Sequence, residues 1–150
     1  MSGIWRPNVT VASVLERDGR FMLVEEETEG GLRLNQPAGH LEAQESLLDA
    51  VVRETREETA HRFLPEYLVG VYLWPRPSGD VTYLRFTFGG ELGEQIQGAR
   101  LDDGIVAVVW MTPDELRACS SRHRSPLVMQ CVEDYLAGRR FPLDLLRHYG

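Results

Sequence analysis

The chain predicts an α/β fold, a mixed β-sheet flanked by helices, and three observations point to it. Short runs rich in β-branched and aromatic residues recur along the 150 residues, with few helical patterns among them. One stretch, opening at Ser46 and running to Glu58, spaces its apolar residues for a helix. Turn-forming residues such as Asp18-Gly19 and Pro77-Ser78-Gly79 punctuate the rest. With 43% hydrophobic residues the chain can bury one core, so a single domain over residues 1–150 is expected.

Taken in order, residues 9–15 read as a mostly buried strand and residues 20–25 as its partner, joined by the hairpin turn Arg17-Asp18-Gly19. Residues 32–34 form a short strand, stopped by Asn35-Gln36-Pro37-Ala38-Gly39. Ser46 opens a helix, with Asp49 three residues on as a capping-box partner. Its apolar stripe is Leu47, Leu48, Val51, Val52 and Thr55, and Ala50 lies near the glutamate face. Residues 68–74 and 81–92 are two antiparallel strands joined across Arg76-Pro77-Ser78-Gly79-Asp80. Asp102-Asp103-Gly104 turns into a strand over Ile105–Met111. Thr112 then caps a short helix reaching Leu116, and Pro126 opens a longer one that ends at Leu136 before Gly138.

Composition excludes several function classes. A net charge of −7 works against nucleic-acid or anionic-membrane partners, which call for a basic stripe. No apolar run approaches the roughly 18 residues of a membrane span. The N-terminal stretch Ile4-Trp5-Arg6-Pro7 lacks the apolar core of a signal peptide, so a cytoplasmic protein is expected. Cys119 and Cys131 make no metal pattern and read as buried free thiols on helices.

The chemistry concentrates between Gly39 and Glu58. Glu54, Glu57 and Glu58 stand at i, i+3 and i+4, so a helix stacks their carboxylates on one face. Such crowding is relieved by a divalent cation, which prefers oxygen ligands. A metal there would also reconcile the chain's negative charge with a phosphorylated substrate.

Gly39, five residues, Glu45, seven residues, Arg53-Glu54, two residues, Glu57-Glu58: this spacing resembles the signature of the Nudix hydrolases. At about 6% usage per residue type, six matched positions coincide by chance on the order of once in 10⁷ starts. Three positions depart from the pattern. Thr55 and His61 replace aliphatic residues, and Ala60 replaces a glycine. A left-handed conformation after the helix would cost alanine about 1–2 kcal/mol, so either that strain is present or the helix ends differently.

The resemblance implies an α/β/α sandwich with the signature as loop–helix–loop, and hydrolysis of diphosphate linkages using Mg²⁺, with Mn²⁺ able to substitute. It implies Glu57 and Glu58 as main metal ligands, Glu54 as a further ligand and the Gly39 carbonyl completing the shell. Arg53 would tie the catalytic loop, with Glu45 as its partner. The general base stays open between Glu57, Glu54, Asp102 and Asp103. Either a monomer or a homodimer is compatible with the family.

The similarity extends through Asn35-Gln36-Pro37-Ala38-Gly39-His40-Leu41-Glu42, Leu84-Arg85-Phe86, Arg124-Ser125-Pro126-Leu127-Val128 and Gly138-Arg139-Arg140-Phe141-Pro142-Leu143. These segments resemble the NudJ-type phosphatase subgroup. That resemblance implies release of orthophosphate from nucleoside di- and triphosphates and from 4-amino-2-methyl-5-hydroxymethylpyrimidine diphosphate. The alternatives are an ADP-ribose or nucleotide-sugar diphosphatase and a catalytically silent nucleotide-binding domain. For the ring of such a substrate, Trp5, Tyr72, Trp74 and Tyr83 are candidate stacking platforms. Arg33 and Arg85 are either phosphate contacts or surface ion pairs, and His40 either touches substrate or packs the loop. Trp110 reads as core, and Arg122-His123-Arg124 as a solvated basic loop.

Overall fold

A computed structural model describes residues 3–150. The elements in order are β1 (Asn8–Val14), β2 (Glu16–Arg17), β3 (Arg20–Thr28), β4 (Gly31–Asn35), β5 (Ala38–His40), α1 (Leu47–Thr59), β6 (His61–Pro75), β7 (Thr82–Gln95), β8 (Ile105–Met111), α2 (Pro113–Ala118) and α3 (Leu127–Leu136). The strands divide into two sheets. One is mixed, in the order β5-β1-β7-β6, with β1 and β7 parallel and the other pairs antiparallel. In the other, β3 pairs antiparallel with β2, β4 and β8.

The strand over residues 20–25 therefore does not pair with the first strand as expected. Both edges of β1 are taken, by β5 and by β7. Residues beyond Arg20 turn back on the two-residue β2 instead, through Asp18 (φ 52°) and Gly19 (φ 78°). Successive positive φ angles match the tight turn that suits the twist of paired strands. The segment expected to stop the third strand also differs, because Ala38–His40 forms β5 and pairs with Thr10, Val11 and Ala12.

Ser46 caps α1 by accepting the Asp49 N–H at 3.0 Å. No return bond from Ser46 to the Asp49 carboxylate forms among the described residues, so the expected capping box is half made. The buried face of α1 is rotated from the expected stripe. Ala50, Val51, Glu54, Thr55 and Glu58 are buried, whereas Val52 is 37% exposed. The cause is polar. Thr55 Oγ1 lies 2.9 Å from Ser13 Oγ of β1, and Glu58 accepts the Ala38 N–H of β5 at 2.9 Å, so the glutamate face turns toward the sheet.

Ala60 adopts the left-handed conformation, φ 59° and ψ 28°, while its N–H donates to the Arg56 carbonyl. That conformation reverses the chain at once and starts β6 at His61, earlier than hydropathy suggested. One hydrophobic core joins α1 to the mixed sheet through Val11, Val51, Leu68 and Phe88, with Trp110 packed against it. A second lies under α2 and α3, around Phe21, Leu34, Leu116 and Val128. Both cysteines are free; Cys131 is buried in the second core, whereas Cys119 is only half-buried.

Candidate active site

Arg53 is the hub of the loop–helix junction. Its Nε and Nη2 donate to the two oxygens of Glu45 at 2.6 and 3.0 Å, a bidentate pair. Nη1 donates to Glu54 at 2.7 Å and to Glu57 at 3.1 Å, and Nη2 also reaches the His40 carbonyl at 3.1 Å. One guanidinium thus joins the loop after β5 to two carboxylates one turn apart on α1. The bond from Arg53 holds the Glu45 carboxyl below its ordinary range, and Glu45, more than Glu54, holds the Arg53 guanidinium charged.

Strand β5 closes the other side. A Cβ placed on Gly39 would lie 2.1 Å from Glu54 Cδ, so only glycine lets the strand press against that carboxylate. Glu54 and Glu58 are each only 8% exposed. Burial pushes the Glu58 carboxyl up to about 8; the Ala38 N–H opposes this, and the charges of Glu26, Glu54 and Asp102 add to it. Burial also raises Glu54, against the pull of Arg53.

The segment after β7 brings a fourth acid. The Asp102 N–H donates to the Glu57 carbonyl at 2.9 Å, using an acceptor left free at the helix end. Glu54, Glu57 and Asp102 then each offer a carboxylate oxygen within 4.8 Å of the others. Three hard oxygen donors at that separation fit a divalent cation. Once bound, such an ion neutralises phosphate oxygens and acidifies a bound water. Glu58, bonded to Ala38, lies outside this trio, and Asp103 is not part of it.

A cavity of about 440 Å³ opens beside these acids, with Gly39, Glu54, Glu58, Arg85, Trp74 and Tyr83 among its lining residues. Register builds its floor. His40, Thr10 and Arg85 stand in one cross-strand row, and Tyr83 pairs with Trp74 in the next. The Trp74 and Tyr83 rings stack with centroids 6.0 Å apart and planes 15° off parallel. Arg85 is 6% exposed, and its guanidinium donates to Gln36 Oε1 at 3.0 Å and Asn35 Oδ1 at 2.9 Å. Among the described residues no carboxylate pairs with it. A buried cation held only by neutral acceptors leaves its charge open to an incoming anion.

A family model of the NUDIX domain matches residues 5–131. The chain belongs to the Nudix hydrolase family. This Nudix hydrolase is 37% identical over 147 residues to the phosphatase NudJ of Escherichia coli K12, covering 98% of this chain and 95% of that one. A protein of the same name from Shigella flexneri matches equally. A solved NUDIX hydrolase from Nitrosomonas europaea shares 54% identity with a TM-score of 0.93, over 96% of this chain and 98% of that one. The MutT NUDIX hydrolase from Burkholderia pseudomallei, at 18% identity and a TM-score of 0.73 over 87% of this chain and 98% of that one, shares the fold. The protein is thus a hydrolase acting on phosphoanhydride bonds, in a family whose substrates are small and nucleotide-like and which generally uses divalent metals.

Several residues singled out from the sequence of this Nudix hydrolase stand apart from the cavity. Arg33 does not line it; its guanidinium bonds the Leu32 carbonyl at 3.2 Å. Tyr72 shares the Arg85 row but donates its hydroxyl to Asp134 on α3 at 2.7 Å. Trp5 is exposed and does not line it. The loop Arg122-His123-Arg124 is pinned rather than simply solvated: Arg122 pairs with Glu25, His123 bonds the Leu116 carbonyl, and Arg124 pairs with Glu26 at 2.9 Å. Arg124 and Glu26 both line the cavity, as does Asn35. No sequence signal marked Glu26, because its place depends on how β3 lies beside β4.

Proposed function

We propose that this Nudix hydrolase is a Mg²⁺-dependent phosphohydrolase of nucleoside di- and triphosphates that releases orthophosphate. The pyrimidine diphosphate 4-amino-2-methyl-5-hydroxymethylpyrimidine diphosphate belongs to the same substrate class. The observation that carries this reading is one cavity lined by carboxylates, by a buried Arg85 with no anionic partner among the described residues, and by a stacked Trp74–Tyr83 pair. An aromatic pair gives a base a face to stack on, contributing about 1–3 kcal/mol. Arg85 takes a phosphate oxygen between ring and carboxylates, and His40 lines the same path.

In this reading the metal binds at Glu54, Glu57 and Asp102, Glu58 joins it on giving up the Ala38 N–H, and the Gly39 carbonyl completes the shell. Mg²⁺ is the ion, and Mn²⁺ substitutes. Arg53 and Glu45 position the carboxylates. Water adds to the terminal phosphorus, the bridging P–O bond breaks, and a proton passes from the water to Glu57 or Asp102, the two less buried members of the trio. The chain acts as one Nudix domain over residues 1–150 in the cytoplasm, as a monomer or homodimer, without nucleic-acid or membrane partners. The net charge of −7 argues against nucleic-acid and anionic-membrane partners, and among the described residues no helix is long and apolar enough to cross a membrane.

The test is a substrate panel with Mg²⁺: GTP, GDP, CTP, ADP-ribose, a dinucleoside polyphosphate and the pyrimidine diphosphate, with orthophosphate, pyrophosphate and mononucleotides resolved. Orthophosphate from GDP or the pyrimidine diphosphate is the expected result. AMP from ADP-ribose, with no orthophosphate from the others, would overturn the reading. Glu57→Gln is expected to lower kcat by several orders of magnitude, because metal-centred charge stabilisation is worth several kcal/mol. Undiminished turnover would remove Glu57 from the site.

A further inference from the structure

A second recess, of about 410 Å³, opens on another flank of α1, lined by Arg56, Glu57, Arg62, Ile96, Ala99 and Arg100. Its shape follows from two backbone bonds. The Ile96 N–H donates to the Ala60 carbonyl at 2.7 Å and the Asp102 N–H to the Glu57 carbonyl at 2.9 Å. The segment between them is pinned at both ends to the terminus of α1, and its Arg100 lines the recess together with Arg56 of the helix and Arg62 of β6. None of these three arginines is held by an ion pair; the ion pairs among the described residues use Arg20, Arg53, Arg76, Arg117, Arg122 and Arg124. Arg56 meets the negative end of the helix dipole. Arg62 and Arg100 have no such role.

Three arginines against the single carboxylate of Glu57 leave the recess net positive, in a chain carrying −7 overall. An anion among them offsets that charge, and guanidinium forks match phosphate oxygens. Glu57 lines this recess and Glu54 lines the main cavity, so the trio of Glu54, Glu57 and Asp102 borders both. We infer that Arg56, Arg62 and Arg100 seat the phosphate lying beyond that trio from the nucleoside. This is the terminal phosphate of a nucleoside di- or triphosphate, and the orthophosphate after cleavage. The inference rests on the reading of the main cavity as the nucleoside site.

The test titrates inorganic pyrophosphate into EDTA-treated protein by calorimetry. The triple variant Arg56→Gln, Arg62→Gln, Arg100→Gln is expected to bind at least tenfold more weakly. A control with the same charge change at exposed positions, Arg6→Gln, Arg139→Gln, Arg147→Gln, is expected to stay within twofold. With Mg²⁺ present, the inhibition constant for orthophosphate should rise about tenfold in the recess variant. Unchanged pyrophosphate binding in that variant, or an equal loss in the control, overturns the inference. Loss of binding in Arg85→Met with retention in the recess variant would place the anion in the main cavity, sinking this inference while leaving the proposed function intact. Full turnover by Glu57→Gln would sink the proposed function, and the calorimetric result would still decide whether the recess binds phosphate.

Discussion

Arg53 shows how one residue's donor geometry organises the site. It satisfies Glu45 bidentately and still reaches Glu54, Glu57 and the His40 carbonyl. Lysine keeps the charge but not the planar fork. Arg53→Lys should therefore lower kcat by about 100-fold, the usual consequence of moving catalytic groups by about 1 Å. Its thermal midpoint should fall only slightly; an equal loss of stability and activity would make Arg53 merely a structural brace. Gly39 is the complementary case, set by space and not by charge. Gly39→Ala would drive a methyl into the Glu54 carboxylate, which as the end of a side chain is the part that must yield. The expected result is a drop in turnover of about 100-fold with a stability loss of about 1–3 kcal/mol. A variant with parental kinetics would show that the position of Glu54 does not matter.

At the scale of elements, the end of α1 decides more than its beginning. Ala60 occupies a left-handed position that favours glycine, and it is buried there. Ala60→Gly releases about 1–2 kcal/mol of strain but gives up a buried methyl worth about 0.8 kcal/mol and adds unfolded-state entropy of about 0.4–1 kcal/mol. The terms nearly cancel, so urea unfolding should find the variant within about 1 kcal/mol of the parent. Ala60→Val has no such compensation, because a β-branched residue at φ 59° is severely strained, and should lose more than about 2 kcal/mol. If valine were tolerated, the helix would have to end in another conformation. The same turn supplies the carbonyl that anchors Ile96, so β6, the segment before Asp102 and the arginine recess all depend on it.

Across the whole molecule, packing α1 against β5 concentrates negative charge in a buried place, which couples stability to pH. The folded state raises Glu58 from 4.5 to about 8, chiefly by burial, and raises Glu54 in the same direction. Each group therefore stabilises the fold when protonated; the contribution is complete below the unfolded value and disappears as pH rises through the folded one. Metal-free protein should lose about 2–4 kcal/mol between pH 5 and pH 8. Glu45, lowered by Arg53, acts oppositely and only below its ordinary range. Mg²⁺ should restore more stability at pH 8 than at pH 6, because a cation favours the ionised carboxylates. Urea unfolding in EDTA at both pH values, then with Mg²⁺, checks this. A metal-free fold equally stable at both would mean that Glu58 is hydrated and charged.

Local pattern was sufficient for much of this protein. The spacing from Gly39 to Glu58 identified the family, and the punctuation by Pro, Gly and Asp located most strands and all three α-helices, since both signals operate within a few residues. What local pattern could not carry was anything set by distant partners. Parallel pairing of β1 with β7 joins segments some 75 residues apart and leaves residues 20–25 to a different sheet. The face of α1 that is buried was decided by Ser13 and Ala38 bonding Thr55 and Glu58, against the hydropathy of Val52. Asp102 joined Glu54 and Glu57 only because its amide found a free carbonyl at the helix end. Burial of Arg85 among neutral acceptors likewise required β4, β7 and α3 to meet around it. The sequence by itself determined the bond class to be cleaved, through residues close together on one helix. The tertiary structure alone decided the shape and charge of the cavity beside that helix, because those depend on side chains brought together from across the chain.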